Sequence, residues 1–459
     1  MSYFLEQLIA RSWNRVVTRP KHPMNPGSLD LGCDVVDGQV EQSRAYIAQY
    51  KRPEHIAILG KTGTGKSSLL KYMAVQDVQR GHGFCFFDLH GDATPALLRS
   101  IAAEEARIGQ DLSHKVIVIE PADPDWSVGL NVLERRTAQQ AFVQVAEFAQ
   151  ILKQRWHLDS FGARTEELLR NGLHVLSDNG LTLLELAPLL TNAAFRSSCL
   201  RKAENSDIRD YFESRYDQAS EAMQAVMREA ILNKISTFTA DPHFKHLLGQ
   251  ERSTFSLIDA IDHGYWIFLN LDKGRLGEQA ATLGSLFLTK LKNALFARRN
   301  RRLFTLYCDE IQNLVTFDSG IDALLSEARK FGISITSANQ FLDQYPAQMR
   351  SAILAVGSHI FFQLSSSDAD KIAAALDGGK TLGALLKNLP QRHMVLKVGS
   401  ERWRQAVVPD LAVIRNEYTG LYNRSRQRWA RRRIDIDREI RNRSRDAQTV
   451  RREALNDWE

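Results

Sequence analysis

Short apolar runs with polar or glycine ends recur along the chain. Continuous runs rich in valine, isoleucine and phenylalanine are typical of strands that are buried on both faces of a sheet. We interpret eight of them as β-strands, at residues 55–59, 83–88, 115–120, 265–272, 303–309, 333–338, 359–364 and 393–398. Helical patterns lie between them: Leu283, Leu286, Phe287, Leu291 and Leu295, for example, recur at the spacing of one buried helix face. The alternation of strands and helices predicts an α/β fold with a mostly parallel sheet.

One long segment interrupts this alternation. Residues 135–241 read as helices rich in Leu, Ala, Glu and Arg, and we interpret them as an all-helical insertion that divides the α/β core into residues 51–134 and 242–410. Residues 1–50 form an N-terminal extension, in which the sequence LGCDVVDGQV favours a short hairpin. Residues 411–459 are predicted to form a basic tail of exposed helices with little apolar surface.

The composition is that of a globular protein, with 44% apolar and 25% charged residues among 459. Its four cysteines lack the paired spacing of metal or redox motifs, which indicates reduced thiols. No stretch approaches the roughly 20 apolar residues that span a bilayer, and the N-terminus lacks a signal peptide. We therefore expect a cytoplasmic protein without direct membrane insertion.

The net charge of +6 is modest for this length, but the basic residues are distributed unevenly. Residues 413–459 contain 13 arginines and 8 acidic residues. This tail and the basic stretches at 153–156 and 296–302 are candidates for contacts with DNA phosphates. Charge runs are also common on solvated surfaces, and the mixed signs of the tail suit a partner-docking helix. Charge alone therefore leaves nucleic-acid binding open.

The first core strand is followed directly by a glycine-rich turn and then by a helix. The turn and the first helical residues are Gly60, Lys61, Thr62, Gly63, Thr64, Gly65, Lys66, Ser67 and Ser68. Backbone N–H groups at a helix N-terminus attract anions, and glycines allow the close approach of a phosphate. The pattern predicts a cradle for a nucleoside triphosphate, with Lys66 on the β- and γ-phosphates and the Ser67 hydroxyl on Mg²⁺. The alternative is a chance glycine-rich turn.

Two carboxylates, Asp309 and Glu310, follow the apolar strand at 303–309. In this class of fold, Asp309 would hold Mg²⁺ through its water shell, and Glu310 would polarise an attacking water. An acidic residue directly after the metal carboxylate fits hydrolysis better than transfer to a substrate hydroxyl. The alternative is a strand that ends in an acidic helix cap.

A second polar group follows the next strand. Gln340, at the strand tip, is the candidate for sensing the γ-phosphate or orienting water, and the helix before that strand ends near Arg329. A cation in this position would face away from its own site, as expected for an arginine finger that acts on a neighbouring subunit. Lys330 is its rival, and capping of the last helical carbonyls is the alternative role for Arg329.

The motifs GKTGTGKS, FFDLHGD, YCDE and EARKFG…ANQ occur in that order. This ordered set resembles the HerA/FtsK superfamily of hexameric DNA-pumping ATPases, and within it the type IV secretion coupling proteins of the TraG/TraD type and soluble HerA-like ATPases. The resemblance covers about residues 30–410. It implies a RecA-like P-loop core, six subunits in a ring, ATP and Mg²⁺ at subunit interfaces, and DNA in a central channel.

By motif match, the resemblance gives the phosphate and metal roles to Lys66 and Ser67 and the metal and water roles to Asp309 and Glu310. Arg329 would be the trans finger and Gln340 the sensor. Three further residues, Asp88, His90 and Asp92, match the end of the family's second strand. They have no assigned role, and a polar network explains them equally well.

The leading hypothesis is a ring-forming, ATP-driven translocase that moves double- or single-stranded DNA. A second hypothesis is a nucleotide-gated scaffold that recruits a nuclease or another effector through the charged tail. A relaxase or a secretion channel would be a further kind of partner. A third hypothesis is a protein-remodelling ATPase, which would respond to unfolded polypeptide rather than to DNA.

Overall fold

A large mixed sheet organises the molecule. The computed structural model describes residues 27–135, 138–155, 162–277, 279–314, 321–345, 347–411 and 414–456. The strands are β1 (Leu29–Val36), β2 (Gln39–Ile47), β3 (Ile56–Leu59), β4 (Gly83–Asp88), β5 (Val116–Ile119), β6 (Trp126–Val128), β7 (Trp266–Asn270), β8 (Phe304–Asp309), β9 (Ile333–Asn339), β10 (Ser358–Phe361), β11 (His393–Val398), β12 (Arg404–Val407) and β13 (Ala430–Arg432).

Eleven of these strands form one sheet in the order β2-β1-β12-β11-β10-β3-β9-β8-β4-β7-β5. The seven strands from β10 to β5 pair in parallel, whereas β11, β12, β1 and β2 extend the sheet by antiparallel pairing. Each of the eight apolar runs overlaps one strand of the sheet. The α/β fold with a mostly parallel sheet is therefore confirmed.

The N-terminal hairpin forms as the sequence indicates. Its strands β1 and β2 are joined by Asp37 and Gly38, whose φ angles are 51° and 79°. Two left-handed residues in sequence match the twist of a hairpin, and the pair Asp-Gly is favoured at such a turn. The hairpin joins the main sheet through β12, because Cys33 of β1 pairs with Val407.

Helices cover both faces of the sheet and fill the segment between β6 and β7. They are α1 (Lys66–Arg80), α2 (Ala93–Ile108), α3 (Ala138–Arg155), α4 (Ala163–Asp178), α5 (Leu186–Thr191), α6 (Ala193–Leu200), α7 (Ser206–Asp210), α8 (Glu221–Thr239), α9 (Pro242–Leu248), α10 (Leu257–Asp262), α11 (Lys273–Leu276), α12 (Gln279–Ala297), α13 (Ile321–Glu327), α14 (Ala347–Leu354), α15 (Ser366–Ala375), α16 (Gly379–Asn388), α17 (Thr419–Trp429) and α18 (Arg433–Asn456). A π-helix, Tyr211–Tyr216, follows α7.

Short 3-10 helices complete the chain between these elements. They are Gln49–Glu54, Ser113–Lys115, Leu183–Glu185, Ile311–Asn313, Ala328–Phe331 and Leu342–Gln344. In the part of the chain that the structure describes, no helix is both long enough and apolar enough to cross a bilayer.

The core lies in two layers, one on each face of the sheet. Alternate residues of β3 contribute to different layers, because Ile56 and Ile58 belong to one cluster and Ala57 and Leu59 to the other. Such strands have no polar face, which is why they read as continuous apolar runs. The larger layer continues into the helices between α3 and α9.

The C-terminal segment is more buried than the sequence indicates. Leu421 of α17 and Ile436 and Ile440 of α18 are all buried, and the Ser425 hydroxyl donates to the Val116 carbonyl at 2.7 Å. α17 packs on β5, β13 pairs with β6, and α18 packs on α6 and α9. The segment is helical as predicted, but it is not exposed on all sides, because a few isolated apolar residues among many arginines bury a narrow face.

Candidate active site

The glycine-rich turn lies at the carboxyl end of β3, directly before α1. Gly63 and Gly65 have φ angles of 76° and 119°, which side chains rarely adopt. The turn is fixed at its base, because the Gly60 N–H donates to the Asn339 carbonyl at 3.1 Å and the Lys61 N–H to the Gln363 carbonyl at 2.8 Å. The turn is therefore anchored to both strands that flank β3.

Two of the glycines are required by close packing from behind. A Cβ atom at Gly60 would lie 2.6 Å from Phe362 Cβ, and one at Gly65 would lie 3.3 Å from Arg392 Cα. A Cβ at Gly63 would meet nothing within 4 Å, so this glycine faces open space. One side of the turn thus packs against Phe362 and Arg392, and the side at Gly63 stays open to solvent and accessible to an anion.

Other predicted cradle residues lie in the same turn. The Thr64 hydroxyl donates to the Lys61 carbonyl at 2.7 Å, which closes the turn on itself. Thr62 is exposed at the tip, and Ser67 and Ser68 are half-buried in the first turn of α1.

Lys66 reaches across this turn. Its Nζ donates to the carbonyls of Gly60 at 2.6 Å and Lys61 at 3.0 Å. Burial lowers the pKa of Lys66, whereas the nearby carboxylates of Asp309 and Glu310 oppose that shift. A buried ammonium that bonds only to neutral carbonyls is held ready for an anionic partner.

Ser67 and Asp309, the two residues predicted to bind a metal ion, lie in contact. The Ser67 hydroxyl donates to Asp309 Oδ2 at 2.8 Å. Burial raises the pKa of Asp309, and the hydrogen bond from Ser67 partly offsets this effect. A hydroxyl and a carboxylate in contact at the end of a parallel strand are oxygen ligands of the type that Mg²⁺ prefers.

Glu310 lies beside this pair in a left-handed conformation, with φ of 57°. A non-glycine residue in this region is uncommon and is found more often at functional sites. Gln340 Nε2 donates to Glu310 Oε1 at 3.0 Å, and Gln312 Nε2 donates to Oε2. The structure therefore places Gln340, the predicted sensor, in contact with Glu310, and both carboxylate oxygens accept hydrogen bonds from amides.

Three side chains near Glu310 were missed by sequence reasoning as functional candidates: Gln312, Asn339 and Tyr345. Asn339 Nδ2 donates to Gln312 Oε1, and the Tyr345 hydroxyl donates to Asn339 Oδ1. Asn339 is fully buried at the end of β9, and its carbonyl accepts the Gly60 N–H. A hydrogen-bonded path thus runs from the turn to Glu310. A buried asparagine directly before Gln340 is the signal that could have identified it.

Arg329 is not brought to this site. It lies in the 3-10 helix before β9, at the amino ends of the parallel strands, whereas the turn lies at their carboxyl ends. β9 alone separates these edges by about 20 Å at the usual strand rise. Arg329 Nη2 pairs with Glu54 Oε1 at 3.0 Å, and its side chain is 64% exposed. Its rival Lys330 is exposed as well.

The polar residues at the end of β4 have separate partners. Asp88 accepts the N–H groups of Gly91 at 2.8 Å and Thr94 at 2.7 Å, and Asp92 pairs with Lys71 at 3.1 Å. Asp88 thus fixes the turn that starts α2. His90 lies close enough to Asp309 to contribute to its electrostatic environment.

The basic stretches are partly used within the chain. Arg298 pairs with Asp262 at 3.1 Å, and Arg302 donates to the Gly81 carbonyl at 2.8 Å. Lys153 pairs with Glu166 at 2.7 Å, while residue 156 of the same stretch lies outside the described residues. Several tail arginines also bind the body of the protein: Arg424, Arg426, Arg433 and Arg443.

The comparison with protein families gives one assignment. A model described as the type IV secretion-system coupling protein DNA-binding domain matches residues 45–408. No curated protein matches the chain at the sequence level.

Solved structures give the fold. The bacterial conjugative coupling protein TrwBdeltaN70, in its unbound monoclinic form, is 17% identical with a TM-score of 0.60, over 89% of this chain and 95% of that chain. TrwB in complex with a non-hydrolysable ATP analogue is 18% identical with a TM-score of 0.57, over 87% and 98%. VirB4 of Thermoanaerobacter pseudethanolicus is 15% identical with a TM-score of 0.55, over 86% and 100%.

Proposed function

The chain belongs to the family of type IV secretion-system coupling protein DNA-binding domains, and on this basis we propose that it is a magnesium-dependent ATPase that acts on DNA. The predicted resemblance is thereby confirmed at the level of the family. The observation that carries the proposal is the convergence of Lys66, Ser67, Asp309, Glu310 and Gln340 at one edge of the sheet. TrwB, a solved structure of similar fold, is described in complexes with ATP and GTP analogues and with ADP and Mg²⁺.

The residues present fit a nucleotide and its metal ion. The N–H groups of residues 60–65 and the ammonium of Lys66 would hold the phosphates, and Ser67 and Asp309 would hold Mg²⁺. When bound, the metal supplies charge neutralisation at the phosphates. Of the chain's own groups, Glu310 accepts a proton from the attacking water, and Gln340 orients the carboxylate through its amide.

Arg329 is proposed to act on the site of a neighbouring subunit. Its high exposure supports this role. Its distance from the phosphate turn of the same subunit also supports it, because the guanidinium is too far away to contact a nucleotide bound there. In this arrangement six subunits form a ring, each interface combining one turn with one arginine. Glu54 would hold the guanidinium until a more strongly charged phosphate competes for it.

The finer proposal is that the ring moves DNA through its central channel. DNA contacts in such a channel go to phosphates and carry no sequence preference. Arg299 and Arg301 of the 296–302 stretch are exposed and are candidates for these phosphate contacts. Arg298 and Arg302 of the same stretch already bind Asp262 and the Gly81 carbonyl. Relaxase, nuclease or secretion-channel partners are compatible with this activity and are not required by it.

The scaffold hypothesis rests in part on the long charged tail. α17 and α18 bury a few apolar residues and pair some of their arginines with the body of the chain. An effector that docks on this tail would therefore meet the remaining exposed charges of packed helices.

The test is an ATPase measurement with and without DNA. We expect Mg²⁺-dependent turnover that rises on addition of DNA and that loses this stimulation as salt increases. Turnover that is indifferent to both double- and single-stranded DNA would contradict the DNA part of the proposal. Stimulation by unfolded polypeptide instead of DNA would favour a protein-remodelling ATPase.

A further inference from the structure

A cavity of about 740 Å³ opens in the helical segment, away from the sheet. Its walls come from α3, α4, α7 and the π-helix 211–216. This volume lies within the usual range of small-ligand pockets. A π-helix is rare and often occurs at a functional site. Its presence in the wall makes this cavity a candidate binding site.

The floor of the cavity consists of two polar side chains on one face of α4. Asn171 and His174 are 8% and 6% exposed and line the cavity. His174 Nε2 is buried without a hydrogen-bond partner, and the Asn171 amide has none among the residues that the structure describes. A buried polar group without a partner is unfavourable. His174 Nε2 is closed off from the cavity, whereas the Asn171 amide lines it, so a ligand in the cavity can supply the hydrogen bonds that Asn171 lacks.

Aromatic rings flank this floor. The Phe142 ring lies 5.2 Å from the His174 ring, centroid to centroid, and Phe142 is 59% exposed. Tyr211 also lines the cavity, but Arg215 already stacks on its ring at 5.1 Å. The exposed ring of Phe142 therefore offers the flat face that can accept a planar, positively charged group.

The charges at the rim favour a cation. Arg215 is already matched, because it makes two hydrogen bonds with Glu167, at 2.7 and 3.0 Å. The remaining rim charges are Asp207, Asp210 and Arg170, which sum to one negative charge. Neither aspartate has an ion-pair partner in the described part of the chain. A phosphate would meet net repulsion here, whereas a cation would be attracted.

Protonation does not reverse this balance. Burial, followed by the charges of Arg170 and Arg135, lowers the pKa of His174 to about 4. The imidazole is therefore neutral at pH 7 and retains one nitrogen that can accept a hydrogen bond.

We propose that this cavity binds the guanidinium of an arginine side chain presented by a polypeptide partner. The planar cation stacks on Phe142, and its N–H groups donate to Asn171 Oδ1 and to the carboxylates of Asp207 and Asp210. We assign the cation to a polypeptide rather than to a free amino acid, because Phe142, 59% exposed, displays apolar surface that residues flanking the arginine would cover.

The test is a binding titration by ligand-observed NMR with the full chain and the peptide acetyl-Leu-Arg-Leu-amide. The analogue with citrulline, which is isosteric but uncharged, is the reference. We expect the arginine peptide to bind about tenfold more tightly than the citrulline peptide and than free arginine amide. Equal affinity for the arginine and citrulline peptides would refute a charge-dependent site. Equal affinity for the arginine peptide and free arginine amide would refute the assignment of the ligand to a polypeptide.

The double variant Asp207→Asn, Asp210→Asn should abolish the preference for arginine, whereas Glu41→Gln, an exposed carboxylate on β2, should retain it. Loss of the preference in both variants would refute the assignment to this rim. Displacement of the peptide by dAMP would also refute it, since the cavity would then be a nucleobase site. No measurement here involves ATP turnover, so this proposal and the proposed function stand or fall separately.

Discussion

Removal of the Arg52 guanidinium should destabilise the support beneath the phosphate turn. Arg52 is fully buried and pairs with Asp77 of α1 through two hydrogen bonds, at 2.6 and 2.7 Å. It also donates to the Thr305 hydroxyl of β8 at 2.8 Å, and the Tyr307 hydroxyl donates to Asp77 at 2.7 Å. This network joins α1, which starts at Lys66, to the strand that ends at Asp309.

The expected magnitude follows from burial. Arg52→Met leaves the carboxylate of Asp77 in the core with only the Tyr307 hydroxyl and the His82 ring as side-chain partners. Breaking a fully buried pair typically lowers the free energy of unfolding by about 3–5 kcal/mol. Replacing both partners by apolar residues is much less harmful, so Arg52→Met with Asp77→Leu should be more stable than Arg52→Met alone.

The assay is urea unfolding followed by circular dichroism, with Arg438→Met as a control in which an exposed ion pair with Asp435 is lost. We expect the control to match the wild type, the single variant to unfold at clearly lower urea, and the double variant to lie between them. A single variant within about 1 kcal/mol of the wild type, or a double variant no better than the single, would refute the reasoning.

The same network predicts a pH dependence. Burial alone would raise the pKa of Asp77, but the charge and hydrogen bonds of Arg52 lower it well below the usual range. A carboxyl whose folded pKa is depressed contributes stability above its unfolded pKa of about 4, and this contribution is lost as the pH falls further. The wild type should therefore lose stability below pH 4 more steeply than the double variant does.

Three further outcomes test the site and the C-terminal segment. Glu310→Gln keeps the shape of the side chain between Gln312 and Gln340 and should preserve ATP binding, measured by calorimetry, while turnover falls by about 10²–10⁴-fold; retained turnover would move the base elsewhere. Mixing inactive Lys66→Ala subunits with Arg329→Ala subunits should restore part of the ATPase activity, and no recovery at any ratio would favour a purely structural pairing of Arg329 with Glu54. Ile436→Asp places a charge at a fully buried position and should release α18 to limited proteolysis, whereas Ile434→Asp, at a position 62% exposed, should not; equal cleavage of both variants would argue against the packing of α18.

The strands and the phosphate turn could be predicted because their signals are local. Each core strand is a short run of apolar residues, and the turn is specified by glycines within eight residues of one another. The contact of Gln340 with Glu310 was also within reach, because side chains at the carboxyl ends of neighbouring parallel strands must lie close together.

Other features depend on geometry that no local pattern reports. Gln312 reaches Glu310 only because Glu310 adopts a left-handed conformation that turns the chain back. The helices at the C-terminus are stabilised by single apolar residues such as Ile436, set among arginines that find partners far away in the sequence. Arg443, for example, pairs with Glu185 at 3.0 Å. The strand β13 is made largely of arginine, a composition that no strand propensity favours.

The course of the final two helices limits how the helical segment can move. α17 lies against β5 at the margin of the sheet, and α18, which is joined to α17 by the three residues of β13, packs on α6 and α9. A swing of the helical segment as a separate body would have to break the contacts of Asp437 with His246 and of Arg443 with Glu185. A force applied to the helical segment by a bound molecule would therefore reach the sheet by two routes. One route is the polypeptide connections to β6 and β7, and the other is the contact of α18 with the segment followed by that of α17 with β5.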